Sequence, residues 1–226
     1  MSPLYVKFFL WFLRTNDYIS SILWAGNIDA ICVASYSSVS QYKLAKATEA
    51  NLREAIRIKN NLPLIAPIVF ASCSHPFPGA EKAESEIKTK MLEKFKVNYL
   101  DAGSITNSIN EMMAWRDVMK TKGILPRAIV IVTCELHSKS ERILAGMLFP
   151  GTNVYLRCNP HELEVEENHP TKDQRFWHLW LKASLMRFMA FKAVSFLPSV
   201  LREKALCRLA KIQHAPGDSH RVLATE

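Results

Sequence analysis

The chain is poor in glycine, with seven in 226 residues. None of them follows the first apolar run, residues 30–34, so no G-x-G-x-x-G or P-loop opens a helix there. The standard dinucleotide and NTP fingerprints are therefore absent. Cysteine is sparse as well. Cys32, Cys73, Cys134, Cys158 and Cys207 are odd in number and far apart, with no C-x-x-C pair. That pattern argues against a zinc site or a disulfide framework and for small buried hydrophobes in a reducing compartment. No G-x-S-x-G nucleophile elbow occurs, and no D-x-D metal–sugar motif supports a glycosyltransferase-like enzyme. No apolar run approaches the roughly 18–20 residues of a spanning helix. Residues 8–13, FFLWFL, stop at Arg14 and Asp17 without a small-residue cleavage site, so a core or interfacial helix is expected there instead of a signal peptide.

What remains is ordinary in bulk and uneven in charge. About half the residues are apolar (49%), enough to build a core without staples in a chain of this length. The net charge is +8, yet residues 171–226 alone carry ten Lys/Arg against four Asp/Glu. Such a region suits a phosphate ligand, an anionic membrane surface or nucleic acid, or simply a solvated face.

Residues 30–34 (AICVA), 64–71 (LIAPIVFA), 128–133 (AIVIVT) and 153–156 (NVYL) read as buried strands, with a weaker one at 97–100. Their continuous apolarity is that of strands covered on both faces. Helical spacing fills the gaps at 44–59, 83–95, 108–120 and 138–148. Alternating strands and helices predict an α/β three-layer sandwich with a parallel, Rossmann-like sheet of about five strands. The expected organisation is an apolar helix in residues 1–28 and the α/β domain in 29–170. Basic amphipathic helices follow in 171–212, then a flexible tail in 213–226. The acidic stretch around His161–Glu164 and on to His169 reads as a polar loop, and its His/Glu spacing fits no helical metal motif.

Ligands of parallel α/β sheets bind beyond the carboxyl ends of the strands. Five loops become candidates, beginning at Ser35, Ser72, Asp101, Thr133 and Arg157. The richest segment is residues 104–111, SITNSINE. Ser108-x-x-Glu111 has capping-box spacing, and Asn107 and Asn110 share a helical side.

These residues resemble a widespread bacterial family of unknown function that includes YdcF, SanA and ElyC. Asp29 precedes the first strand, as in that family. Ser72 stands in the turn after the second strand, with the family's glycines replaced. Glu84 occupies the place of its acidic residue, Ser104 and Asn110 match the ends of its Ser/Asn segment, and Asn107 replaces its Thr. Thr133 and His137 match its strand-end motif, while its Arg is shifted here to Arg142. The resemblance spans roughly residues 29–158 and implies a Rossmann-like fold and a link to cell-envelope metabolism.

The expectation is a protein that binds a small anionic ligand, nucleotide-like or phosphate-bearing, with S-adenosylmethionine a candidate by fold analogy. Transfer or hydrolysis would then use Glu84 and His137 as acid and base. Ser72, Ser104, Asn107, Asn110, Thr133 and Arg142 would bind. No metal is expected. A second expectation is a non-catalytic binding or scaffold protein docking through its basic apolar ends. A cytoplasmic location is expected, with peripheral contact to anionic membrane through the apolar termini. Nucleic acid is disfavoured, because no matching motif accompanies the charge.

Overall fold

The computed structural model describes residues 4–14, 28–61, 65–73 and 83–212. The expected tail, the link between the first helix and the first strand, and Ser74 and His75 of the second loop lie outside these residues.

Five parallel strands form one sheet: β1 (Ala30–Val33), β4 (Ile68–Cys73), β5 (Tyr99–Ile105), β6 (Ala128–Cys134) and β7 (Asn153–Asn159). Their spatial order is β5-β4-β1-β6-β7. The chain thus builds outward from β1 in one direction, then returns to build in the other. The reversal falls between β1 and β6, the topological switch point of a Rossmann-like sheet. A small antiparallel hairpin, β2 (Ser38–Ser40) and β3 (Lys43–Leu44), lies outside this sheet and had no signature in the sequence.

The continuous runs are strands because helices cover both faces, and alternate side chains divide between two cores. Ala30 and Cys32 of β1, Val69 and Ala71 of β4, and Ile129 and Ile131 of β6 face one core. Ile31 and Val33, Ile68 and Phe70, and Val130 and Val132 face the other. This is the two-residue period of a pleated strand. The second core is closed by α2 (Lys46–Asn61), through Leu52, Ala55 and Ile56, and by Leu92 of α3 (Ala83–Lys94). The first is closed by α4 (Ser108–Thr121) and α5 (Glu135–Leu148), with Trp115 and Leu144 fully buried.

Three further helices pack outside α4 and α5. They are α1 (Leu4–Leu13), α6 (Trp177–Ser195) and α7 (Ser199–Ile212). Phe12 of α1 meets Phe188 of α6 edge-on, with centroids 5.2 Å apart. Leu206 and Ala210 of α7 are buried, and the Ala210 carbonyl accepts from Asn107 at 3.1 Å. Pro198 ends α6, and Arg202 turns back to donate to the Ser195 and Leu197 carbonyls.

Several local expectations are corrected. Residues 101–104 are not a loop but belong to β5, which bulges opposite β4 between Phe70 and Ser72. Gly103 supplies the left-handed residue of that bulge (φ 87°), and its N–H is held by Asp101, a use for which glycine is suited. The helix expected from Ser138 begins at Glu135, so His137 lies in its first turn. Residues 161–175 are not a solvated loop. They form two 3-10 turns, His161–Glu164 and Lys172–Arg175, and bury His161, Glu164, His169 and Gln174.

Candidate functional site

The carboxyl edge of the sheet divides into two polar clusters on either side of β1. Asp29 serves neither. It sits at the opposite edge, where its carboxylate accepts the N–H groups of Arg127 and Ala128 at 2.7 and 3.0 Å and locks the start of β6 to the start of β1.

The first cluster lies over β1, β4 and β5. Glu84 opens α3, completely buried, and its carboxylate gathers three donors from separate elements. The Cys73 N–H reaches Oε2 at 2.7 Å. The Lys88 ammonium reaches Oε1 at 2.7 Å, with both side chains at zero exposure. The Ser35 hydroxyl also donates to Oε1. Lys88 is one helical turn beyond Glu84, so both project from the same face of α3, and its Nζ also donates to the Ala71 carbonyl at 2.6 Å. A buried charge persists only when paired and hydrogen-bonded, and here both partners satisfy that condition. Glu111, from the first turn of α4, accepts the Ser35 N–H at 2.8 Å. Burial, reinforced by the nearby Glu141, holds its carboxyl well above the usual range. Desolvation thus shifts Glu111 towards its protonated form.

Around this centre stand half-buried or exposed groups. Ser35 and Cys73 are half-buried, Asn110 is half-buried and Ser104 is exposed. Ser72 is buried, and its hydroxyl has no hydrogen-bond partner among the described residues. Asn107 is occupied otherwise: it is the N-cap of α4, accepting from the N–H groups of Ile109 and Asn110. The capping box anticipated at Ser108 and Glu111 does not form, because Glu111 turns away to Ser35.

The second cluster fills the switch point itself. Tyr36 lies across the crevice, its hydroxyl 3.2 Å from Thr133 Oγ1 and its carbonyl 2.6 Å from His169 Nε2. His137 packs edge-on to Tyr36 with centroids 5.1 Å apart, and against Trp180 at 4.7 Å. Its Nδ1 lies 2.6 Å from Glu164 Oε2. Glu164 also accepts from Leu136 N–H and Trp180 Nε1. Burial raises the Glu164 carboxyl to about 8 and pushes the His137 imidazole well below its ordinary value. Burial thus favours the neutral form of both partners across the His137–Glu164 contact. Glu141, one turn past His137, is buried and lies near the Arg187 guanidinium. Burial raises it to about 7, with Arg187 drawing it back. Arg187 itself stacks over Trp180 at 5.6 Å.

The structure thus brings Glu84, Ser72, Ser104 and Asn110 to one edge and encloses Thr133 and His137 in the other cluster. Arg142 joins neither. It donates to the Val154 carbonyl near the amino end of β7, the far side of the sheet from the candidate site. Ser35 and Glu111 lay in the candidate loop and segment but were given no role, while Lys88, Glu141, Glu164 and Arg187 were missed. The Glu84–Lys88 spacing was a signal, but such pairs usually face solvent. For Glu141, Glu164 and Arg187 the local sequence carried none.

Two other features gather groups that ligands commonly use. Glu135, His161 and Glu162 bring donor atoms within 4.8 Å of one another. However, His161 Nδ1 already hydrogen-bonds Glu135 at 2.9 Å, and Arg14 pairs with the same carboxylate. An open groove of about 330 Å³ between Tyr42 and α3, lined by Ile87, Lys90 and Met91, includes none of the strand-end residues.

The fold is a five-stranded parallel α/β sheet of Rossmann-like order, and no helix among the described residues is long and apolar enough to cross a membrane. Compared with protein-family models, curated proteins and solved structures, the chain gives no significant match.

Proposed function

We propose that this chain is a divergent YdcF/SanA-like protein that binds a small nucleotide-like or phosphate-bearing ligand over the carboxyl ends of β1, β4 and β5. One observation carries the reading: the convergence of Ser35, Cys73 and Lys88 on Glu84, with Glu111 opposite. The loop after β1, β4, α3 and α4 all send polar groups to one point at the ligand edge of the sheet, and α3 commits a buried ion pair there. Buried ionisable groups gathered at the ligand edge of such a sheet are candidates for function.

The chemistry follows from the charges. Glu84 is oriented by three donors and suits a ligand hydroxyl, such as that of a ribose. Glu111, whose carboxyl burial shifts towards its protonated form, would offer a hydrogen bond to a phosphate or carbonyl oxygen. Ser104 and Asn110 present a hydroxyl and an amide to the same edge. If the protein is an enzyme, Glu84 is the acid–base group, acting on Ser35 or on a ligand hydroxyl during transfer or hydrolysis. His137 is a weaker candidate for this role, because it belongs to the second cluster, where its Nδ1 is held by Glu164 and its ring packs against Tyr36 and Trp180. S-adenosylmethionine, with a diol and a positive sulfonium, is a reasonable ligand for the two carboxyls.

A second reading is a non-catalytic binding protein, favoured by Tyr36, whose ring fills the crevice used by other sheets of this order. Thermal-shift measurements with nucleotides, sugar phosphates and S-adenosylmethionine test the proposal. A stabilising ligand is expected, and its effect should vanish in Ser35→Ala and Asn110→Ala variants of unchanged melting temperature. If no ligand in these classes stabilises the protein, or if both variants respond like the wild type, the site is wrong.

A further inference from the structure

We infer that the outward faces of α1, α6 and α7 form a docking surface for an anionic lipid bilayer, on which the protein lies without crossing it. The argument is independent of the ligand site.

Each of the three helices spends one stripe on the core and leaves exposed apolar side chains outside it, joined by basic ones on α6 and α7. In α1, Val6 and Leu13 are buried. Tyr5, Phe8 and Trp11 point the other way, with Phe8 71% and Trp11 80% exposed. In α6, Trp180, Phe188 and Phe191 are buried. The opposite stripe, at helical spacing, is Lys182, Met186, Met189, Lys192 and Phe196, and Phe196 is 76% exposed. In α7, Leu206 and Ala210 face inward. Val200, Leu201, Lys204, Arg208 and Lys211 occupy one outward stripe. Folded monomers rarely expose large apolar side chains in contiguous sets without a partner.

Position and charge narrow the partner. The Phe12–Phe188 contact sets α1 beside α6, and α6 leads into α7 through Pro198, flanked by the exposed Phe196, Val200 and Leu201. Between residues 177 and 212 there are seven Lys/Arg and one Glu. Arg187 turns inward over Trp180, while Lys182, Lys192, Lys204, Arg208 and Lys211 are exposed. The Lys192 ammonium lies 4.9 Å from the centre of the Phe196 ring, an exposed aromatic carrying its own cation. Aromatic and methionine side chains interleaved with lysine, and almost free of acidic residues, are the composition of an interfacial helix. The apolar side chains enter the acyl boundary while the lysines meet anionic headgroups. A protein partner would need acidic and apolar groups matched to all three helices. Nucleic acid would use the cations but leave Phe8, Trp11 and Met189 without a role.

Flotation of the full chain with vesicles tests this directly. Phosphatidylcholine vesicles with and without phosphatidylserine are compared at low and high salt. The expected result is flotation with the anionic vesicles at low salt, weakened by roughly tenfold or more at high salt or on neutral vesicles. Trp11→Ser with Phe196→Ser, and separately Lys182→Glu with Lys192→Glu, should each reduce flotation by about tenfold at unchanged melting temperature. All four side chains are exposed, so folding is not at stake. No flotation at low salt overturns the proposal, as does flotation that neither double variant alters. A dimer seen by sedimentation velocity that disappears in the Trp11/Phe196 variant, without vesicle binding, assigns the surface to a second copy and also overturns it. So does RNA retention that depends on the lysines alone, again without flotation.

Discussion

Glu111 Oε1 accepts the N–H of Ser35 at 2.8 Å across 76 positions of sequence. It joins the first turn of α4 to the loop after β1, and the same serine reaches Glu84 of α3 through its hydroxyl. One residue of an unremarkable polar loop therefore ties three parts of the ligand edge together. Replacing Glu111 by Gln preserves an acceptor for the Ser35 N–H and removes only the titrating group. The Glu111→Gln protein should fold with a melting temperature near that of the wild type and bind its ligand with an altered pH profile. Isothermal titration at several pH values measures this.

The Glu84–Lys88 pair has no solvent to fall back on. Lys88→Met leaves a carboxylate buried without its cation and should cost about 3–5 kcal/mol. The double variant Glu84→Gln/Lys88→Met removes both charges and should recover a large part of that loss. Urea unfolding of the two single variants and the double variant closes the cycle.

Stability should fall as pH rises from 6.5 to 8. Glu141 and Glu164 have pKa values raised on folding, from 4.5 to about 7 and about 8. Their stabilising effect is complete below the unfolded value and is lost as pH climbs through the folded ones. His137 is lowered from 6.5, so its contribution is complete above that pH and opposes the carboxyls only below it. Above 6.5 the histidine no longer opposes them, and Glu111, also raised by burial, acts in the same direction, with a slope of up to about 1.4 kcal/mol per pH unit for each proton. Melting temperatures across this window, measured for the wild type and for Glu164→Gln, test the assignment. A flat wild-type profile contradicts it.

The loop after β1 turns without glycine. Ser37 adopts φ 72°, a left-handed conformation that costs a residue with a Cβ about 1–2 kcal/mol. Its carbonyl is held by Thr48 Oγ1 and Ala45 N–H, which explains why the turn persists. Ser37→Gly should therefore leave stability unchanged or raise it by up to about 1 kcal/mol, as read by thermal unfolding.

The framework was legible in the sequence because it rests on short-range patterns. The runs at β1, β4, β6 and β7 and the helical spacing of α2, α3 and α4 each identify an element without reference to the others. The site was less legible because its polar groups are buried by partners far away in the chain. The stretch from His161 to His169 looked solvated, being rich in carboxylates. Yet Glu164 is matched by Leu136, His137 and Trp180, Glu166 by the Lys46 N–H, and His169 by the Tyr36 carbonyl. Composition does not reveal such matching. Helix starts show the same limit: α5 begins at Glu135 after Cys134, which offers no side-chain cap, so nothing in the local sequence marked the boundary.

Thiol reactivity offers a simple check on packing. Cys32 and Cys134 are buried, and burial pushes the thiols of the half-buried Cys73 and Cys158 up, Cys158 to about 12. Cys207 is exposed on α7. The native protein should react rapidly with an aromatic disulfide reagent at one thiol, and Cys207→Ser should abolish that phase.

The placement of β1 at the centre of the sheet also bears on how the chain is made. Its two neighbours are β4 and β6, and Val33 pairs with Val132, about a hundred residues later. A ribosome emits β1 first and β6 only after most of the domain has emerged. Until then one side of a wholly apolar strand has no companion in the growing chain. The cell must shield that edge during synthesis, and slower translation through β6 lengthens the interval during which aggregation competes with folding.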